Sequence, residues 1–177
     1  MFTWDDVQEE FEVDGSLRDI YVLNSTLDDW RRFAALVRSG RWAFQYSDGE
    51  PLPDPSEIFP WQEDSMPGLL SIFVGSSQLN VHFFCEKEIE LDFDPADVST
   101  ADDLHAVLDF MHAVADTLGK PCILTPENCS EFVVFCVVPG LPQAQYRERR
   151  ALLQRRRTSA CSGARAARVR LSPLTPS

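Results

Sequence analysis

A chain of 177 residues with an ordinary apolar fraction has the length of one domain and room for a tail. Its net charge of −12 is unevenly spread: residues 1–146 hold 27 acidic against 7 basic side chains, whereas residues 147–177 hold 9 arginines and one glutamate. A body this acidic repels phosphates, which argues against direct nucleic-acid binding, and the acidic N-terminus and absence of a long apolar run predict neither a secretion signal nor a membrane span.

Thr3 to Phe11 (TWDDVQEEF) reads as a short capped helix with acids in its first turn. Asp19 to Leu23 (DIYVL) reads as a strand. Ser25 to Arg38 is a helix capped by Ser25 or Thr26, with Leu27, Trp30, Phe33, Ala34 and Val37 on one face. Trp42 to Tyr46 is a strand, closed by Asp48-Gly49.

Residues 47–68 carry five prolines and six acids and no periodicity. Loops this long are usually functional or disordered. Within it, Ile58, Phe59 and Trp61 either fold back onto the core edge or form an apolar tip, rimmed by acids, for a partner.

Leu70 to Val74 and Leu79 to Phe84 flank Gly75-Ser76 as a hairpin. Residues 86–94 (EKEIELDFD) follow with strict alternation. In a strand, Ile89, Leu91 and Phe93 share one face, and Glu86, Glu88, Glu90, Asp92 and Asp94 the other. Such a ladder costs roughly 2 kcal/mol in repulsion before screening by salt. It is either a solvated face kept acidic against edge pairing or a docking surface for a basic partner.

Ser99 to Leu118 is the clearest helix, capped by Ser99 or Thr100 and ended by Gly119. Cys122 to Leu124 and Phe132 to Val138 read as strands. The body is expected to span residues 1–140. Residues 141–177 form an arginine-rich tail in which Tyr146 to Arg157 suits a short basic helix, with disorder beyond.

His105, Asp109, His112 and Asp116 share one stripe of the long helix and could serve a metal, a small ligand or an acid–base pair, or stand as a solvated face. The zinc-helix pattern HExxH is missing, as are the P-loop, GxGxxG and GxSxG, and no spacing specifies a catalytic triad. No enzyme activity, cofactor or metal is expected. His82, among apolar residues, suits a structural or edge-facing role. Five cysteines (Cys85, Cys122, Cys129, Cys136, Cys161), an odd count without a CxxC pair, favour a reducing cytoplasm over a disulfide scaffold.

The element order predicts an α+β domain: a mainly antiparallel sheet of about five to seven strands packed against two principal helices. The stretches DGSLRDIYVLNSTLDDW (14–30) and LGKPCILTPEN (118–128), within a small acidic chain, resemble the immunity proteins of bacterial polymorphic-toxin systems. That resemblance implies inhibition of a cognate toxin, such as a basic nuclease, by direct binding. The arginine-rich tail departs from the pattern. On this reading Glu86, Glu88, Glu90, Asp92 and Asp94 attract a basic protein partner and Phe59 and Trp61 anchor it. A self-associating adaptor module using the Phe59–Trp61 loop is the further alternative. The sequence leaves the oligomeric state open.

Overall fold

The computed structural model describes residues 2–47, 49–59 and 68–147. Among them, β1 (Arg18–Leu23), β2 (Ala43–Tyr46), β3 (Leu70–Val74), β4 (Ser77–His82), β5 (Glu88–Phe93), β6 (Cys122–Pro126), β7 (Phe135–Val137) and β8 (Gln145–Tyr146) form one sheet in the order β2-β3-β4-β5-β1-β6-β7-β8. Every pairing is antiparallel. The helices are α1 (Trp4–Val7), α2 (Leu27–Arg38), α3 (Pro55–Ile58) and α4 (Ala101–Leu118). No helix among the described residues is long and apolar enough to cross a membrane.

The α+β class matches the sequence reading, and the details differ. The strands number eight rather than five to seven, because Gln145–Tyr146 adds a two-residue edge strand that carries no apolar alternation. That pairing extends the compact body to Arg147, past the expected boundary at 140. The helices number four, because α1 and α3 add single turns to the two principal ones. Asp54 accepts from the Ser56 N–H and Pro55 opens α3, which suits a proline at the first helical position. The N-terminal helix tightens into a 3-10 turn at Gln8–Phe11. The expected basic helix from 146 does not start there, since Tyr146 is in a strand; residues 148–157 lie outside the described residues.

Buried residues of all four helices join one face of the sheet in a single apolar core, including Val7, Trp30, Ile58 and Met111 with Ile20, Val22, Ile89, Leu91 and Phe93. Each large side chain fully buried there contributes about 1.5–3 kcal/mol. Phe59 belongs to this core: it is 8% exposed, and its ring lies 5.3 Å from Trp30 and 6.3 Å from Phe83. It therefore packs inward and offers no exposed anchor to a partner, while Trp61 lies outside the described residues. Arg18 is also on this side. It donates to the carbonyls of Glu10 (2.6 Å), Glu12 (3.2 Å) and Leu17 (3.0 Å), so the N-terminal turns are tied to the central strand.

Two chain junctions, β1–α2 and α4–β6, meet at Asp29, whose side chain is 3% exposed. Thr26 caps α2, and Asp29 returns the bond as a capping box, accepting from the Thr26 N–H (2.9 Å) and hydroxyl (2.7 Å). Lys120, just past α4, donates to Asp29 (2.6 Å) and to the carbonyl of Asn24 (2.5 Å). Arg32 donates to Asp29 (2.9 Å) and to the α4 carbonyls of Thr117 (3.1 Å) and Leu118 (3.3 Å). Burial alone pushes the Asp29 carboxyl up; the hydrogen bonds and charge of Lys120, with those of Thr26, outweigh it and hold the carboxyl below the usual aspartate value.

A carboxyl held low stabilises the fold above its ordinary value of 3.8 and loses that contribution as pH falls through the lower folded value. Asp29→Ala is expected to cost about 2–4 kcal/mol at pH 7, the combined scale of a lost cap and a broken buried ion pair. Urea unfolding at pH 7 and pH 3 checks this: the gap between wild type and variant should narrow in acid. A loss under about 0.5 kcal/mol at pH 7 would remove the hub role.

Candidate functional site

Strict alternation means that burying Ile89, Leu91 and Phe93 against the helices turns Glu88, Glu90 and Asp92 to the opposite face. Only these three of the five expected ladder acids stand there. Glu86 lies in the turn before β5, where its carboxylate accepts from the Leu27 N–H (3.2 Å) at the start of α2, and its carbonyl takes the Ser25 hydroxyl (2.6 Å) and the Trp30 indole (3.1 Å). Asp94 caps the 3-10 turn Pro95–Asp97 by accepting from the Ala96 N–H (2.8 Å). Both ends of the ladder are thus drawn into chain reversals, and the five-acid strip is corrected to three.

Registry supplies what the sequence reading missed. Asp92 faces Asn80 on β4 and Asp19 on β1, and Asp19 faces Thr125 on β6. In the next row Glu90 faces His82 and Tyr21, and Tyr21 faces Ile123. Glu88 faces Leu23. Asp19 and Asp92 are therefore like charges directly opposite, which destabilises a sheet. The signal for Asp19 was its parity with Tyr21, but its facing partner was not readable from the chain.

The rows are wired by short contacts. The Tyr21 hydroxyl lies 2.8 Å from Asp19 and 3.1 Å from Glu90. It has a single proton to donate to two carboxylates. Asp19 also accepts from the backbone N–H of Asn128 (2.6 Å), in the β6–β7 loop, and is 2% exposed. Asp92 accepts from Asn80 (3.0 Å) and pairs with His82 Nε2 (2.6 Å). The His82 ring stacks on Phe84 at 4.9 Å with parallel planes. His82 is thus on an interior strand, one of the site's paired groups rather than an edge residue.

Burial pushes the Asp19 carboxyl up against the opposing bonds from Asn128 and Tyr21. Burial raises Glu90 too, and the charges of Asp19 and Glu88 add to it. Burial and the carboxylates of Asp19 and Glu90 push the Tyr21 phenol up. For Asp92, burial is outweighed by the bonds from His82 and Asn80, so its carboxyl sits below the usual value. The bond to Asp92 raises His82 despite its burial. Among the described residues of β4, β5 and β1 no lysine or arginine stands on this face, so His82 is the base set among Asp19, Glu88, Glu90 and Asp92, while Arg147, just past β8, lies near Cys136 at the far end of the sheet. Beyond Tyr21, the face continues as a small apolar cluster of Tyr21, Ile123 and Cys136 flanked by Val133 and Val138.

The helix stripe lies elsewhere. His105, Asp109 and His112 line a cleft of about 790 Å³ with Phe2, Leu108 and Tyr146. Asp116 is drawn away to accept from the Gly140 N–H (2.8 Å). Among the described residues, no group of three or more His, Cys, Asp or Glu side chains is placed to hold a metal ion. Cys85, Cys122, Cys129 and Cys136 are unpaired thiols. Comparison with protein-family models, with curated proteins and with solved structures returns no match.

Because the folded state raises Glu90, its ionised form costs stability, and that cost grows as pH rises through the folded value. Glu90→Gln keeps an acceptor for Tyr21 and removes the charge. It is expected to stabilise the protein by about 0.5–1 kcal/mol at pH 7, the scale of one cross-strand repulsion, with no gain below the ordinary value of 4.5. Thermal unfolding of both proteins across this range checks it. A destabilised variant at pH 7 would mean that the carboxylate is structural.

Proposed function

We propose that this chain is a protein-binding module that docks a basic protein partner on the helix-free face of its sheet. The form the sequence resemblance suggests is an inhibitor of the immunity-protein kind, covering a cognate toxin. The observation that carries the reading is where the acids sit. Acidic residues kept against edge-to-edge pairing belong on edge strands. Here the edges are β2 and β8, which carry no acid, and the carboxylates crowd β5 and β1 in the interior of the sheet. Their raised or opposed charges are a standing electrostatic cost, of the kind that collects at functional sites.

A concentrated negative face attracts a positive one over about a Debye length, speeds encounter and rejects acidic proteins. Against a nuclease, such a face would sit where the phosphates of the substrate bind. The roles fall to Glu88, Glu90 and Asp92 for attraction, with Tyr21 holding Glu90 and His82 holding Asp92 in place.

A second reading is a small-ligand site in the cleft, favoured by its size, which lies in the usual range for ligand pockets, and by the imidazoles and carboxylate on its wall.

The test is a comparison of baits. Full-length wild type and the Glu88→Lys/Glu90→Lys variant are used to capture partners from the source cell lysate at low salt, and association is then timed by stopped flow. The docking reading expects one basic protein held by wild type, released by high salt and lost from the variant, with an association rate at least about tenfold lower for the variant and a flatter salt dependence. Equal capture and equal rates would refute it.

A further inference from the structure

We propose that the corner formed by Phe84, Glu88 and Leu23 takes an arginine side chain of the partner, with the guanidinium stacked on Phe84 and paired with Glu88. This rests on the docking reading above and specifies the partner's chemistry.

The three residues share the helix-free face. Glu88 faces Leu23 directly across β1. On the other side the β4–β5 pairing ends at His82 opposite Glu90, and Phe84, two residues past His82 in the chain leaving β4, lies with its ring against the His82 ring, on the side of the sheet that carries Glu90 and Glu88. Phe84 is 53% exposed and Leu23 is 38% exposed, and both are large apolar side chains left in water. Phe84 is also held. Its ring lies parallel to the His82 imidazole at 4.9 Å, and His82 is fixed by Asp92 at 2.6 Å. An exposed ring braced on a paired histidine is a preorganised platform.

Glu88 is the complement. It is half-buried, and among the described residues its carboxylate makes no hydrogen bond or ion pair, unlike Glu90 and Asp92 on the same strand. Lys87, its neighbour in sequence, is exposed in the turn before β5. A carboxylate between exposed apolar groups sets narrow terms for what can cover it. A purely apolar contact would bury its charge unpaired, which is strongly unfavourable. An anion is repelled by Glu88 and Glu90 together. A lysine ammonium satisfies the charge, but it is strongly hydrated and a point donor. A guanidinium is weakly hydrated and flat, stacks on an aromatic ring and meets a carboxylate with two parallel bonds, while its aliphatic stem can lie on Leu23.

Calorimetry at low salt with the full-length protein tests this, using hexa-arginine and hexa-lysine peptides of equal charge. Hexa-arginine should bind wild type at least fivefold more tightly. Phe84→Ala and Phe84→Leu should each bring that preference below twofold while leaving hexa-lysine affinity within twofold, and Glu88→Gln should weaken hexa-arginine at least fivefold. Phe84→Leu keeps apolar bulk and so separates stacking from burial, and thermal unfolding confirms that each variant folds. Equal affinity of the two peptides for wild type, or a preference unchanged in both Phe84 variants, overturns the arginine assignment and leaves the docking face standing. Failure of both peptides to bind wild type overturns the docking reading and this inference with it.

Discussion

One-sided burial of β1 and β5 is the constraint on which the rest of the molecule depends. Ile20 faces Leu91 and Val22 faces Ile89 across the pair, all fully buried on the helix side. Slipping either strand by one residue would carry Glu90 or Asp19 into that core, so the register is fixed by the high cost of burying a charge. The same alternation commits every acid of β5 to the other face. Because β1 lies between β5 and β6, Asp19 and Tyr21 are hemmed in by neighbours and end up buried on a face that no helix among the described residues covers.

The charged face therefore has its support elsewhere. The apolar core and the Asp29 junction hold α2, α4 and β1 together without any group from that face. A comparable clamp closes the far end: the Ser76 hydroxyl in the β3–β4 turn meets Asp103 at 2.6 Å, and hydrogen bonds from Ser76, then Thr100, hold that carboxyl down at about 2. Well-satisfied carboxylates thus sit at the chain junctions, each capping a helix. On the open sheet Asp92 is satisfied by His82 and Asn80, whereas burial pushes Asp19 and Glu90 up. This division lets the fold tolerate like charges at Asp19 and Asp92 that local pairing alone would not stabilise.

What could be read from the chain follows the same division. The α2 and α4 boundaries were legible because caps and apolar stripes are local: Thr26 with Asp29, Thr100 with Asp103, and Gly119 at positive φ. The faces of β5 were legible because period two is local. Pairing is not local, so nothing in DIYVL announced that Asp19 would meet Asp92, or that Tyr21 would stand between two carboxylates. Glu86 and Asp94 carried the right parity but lay past the ends of the strand, and Asp94 before Pro95 was a readable cap that the alternation masked. Phe59 followed a proline-rich run that left open both a fold back onto the core edge and an exposed tip. Its neighbours Trp30 and Phe83, distant in sequence, decided its burial. Gln145–Tyr146 offered too short a pattern to mark a strand.

The two surfaces that could bind something differ in what they cost the fold. Along the α4 cleft, His105 and Asp109 are exposed, and Asp116 is used to hold Gly140, so solvent and structure already satisfy that stripe. On the sheet, burial pushes Asp19 and Glu90 up, the charges of Asp92 and Glu127 adding to it for Asp19 and those of Asp19 and Glu88 for Glu90, and one phenol proton must serve both. A cation brought by a partner relieves that repulsion. Binding energy is gained where the unbound state is least satisfied, so the sheet face, rather than the larger cavity, is the stronger candidate for the working surface of this protein.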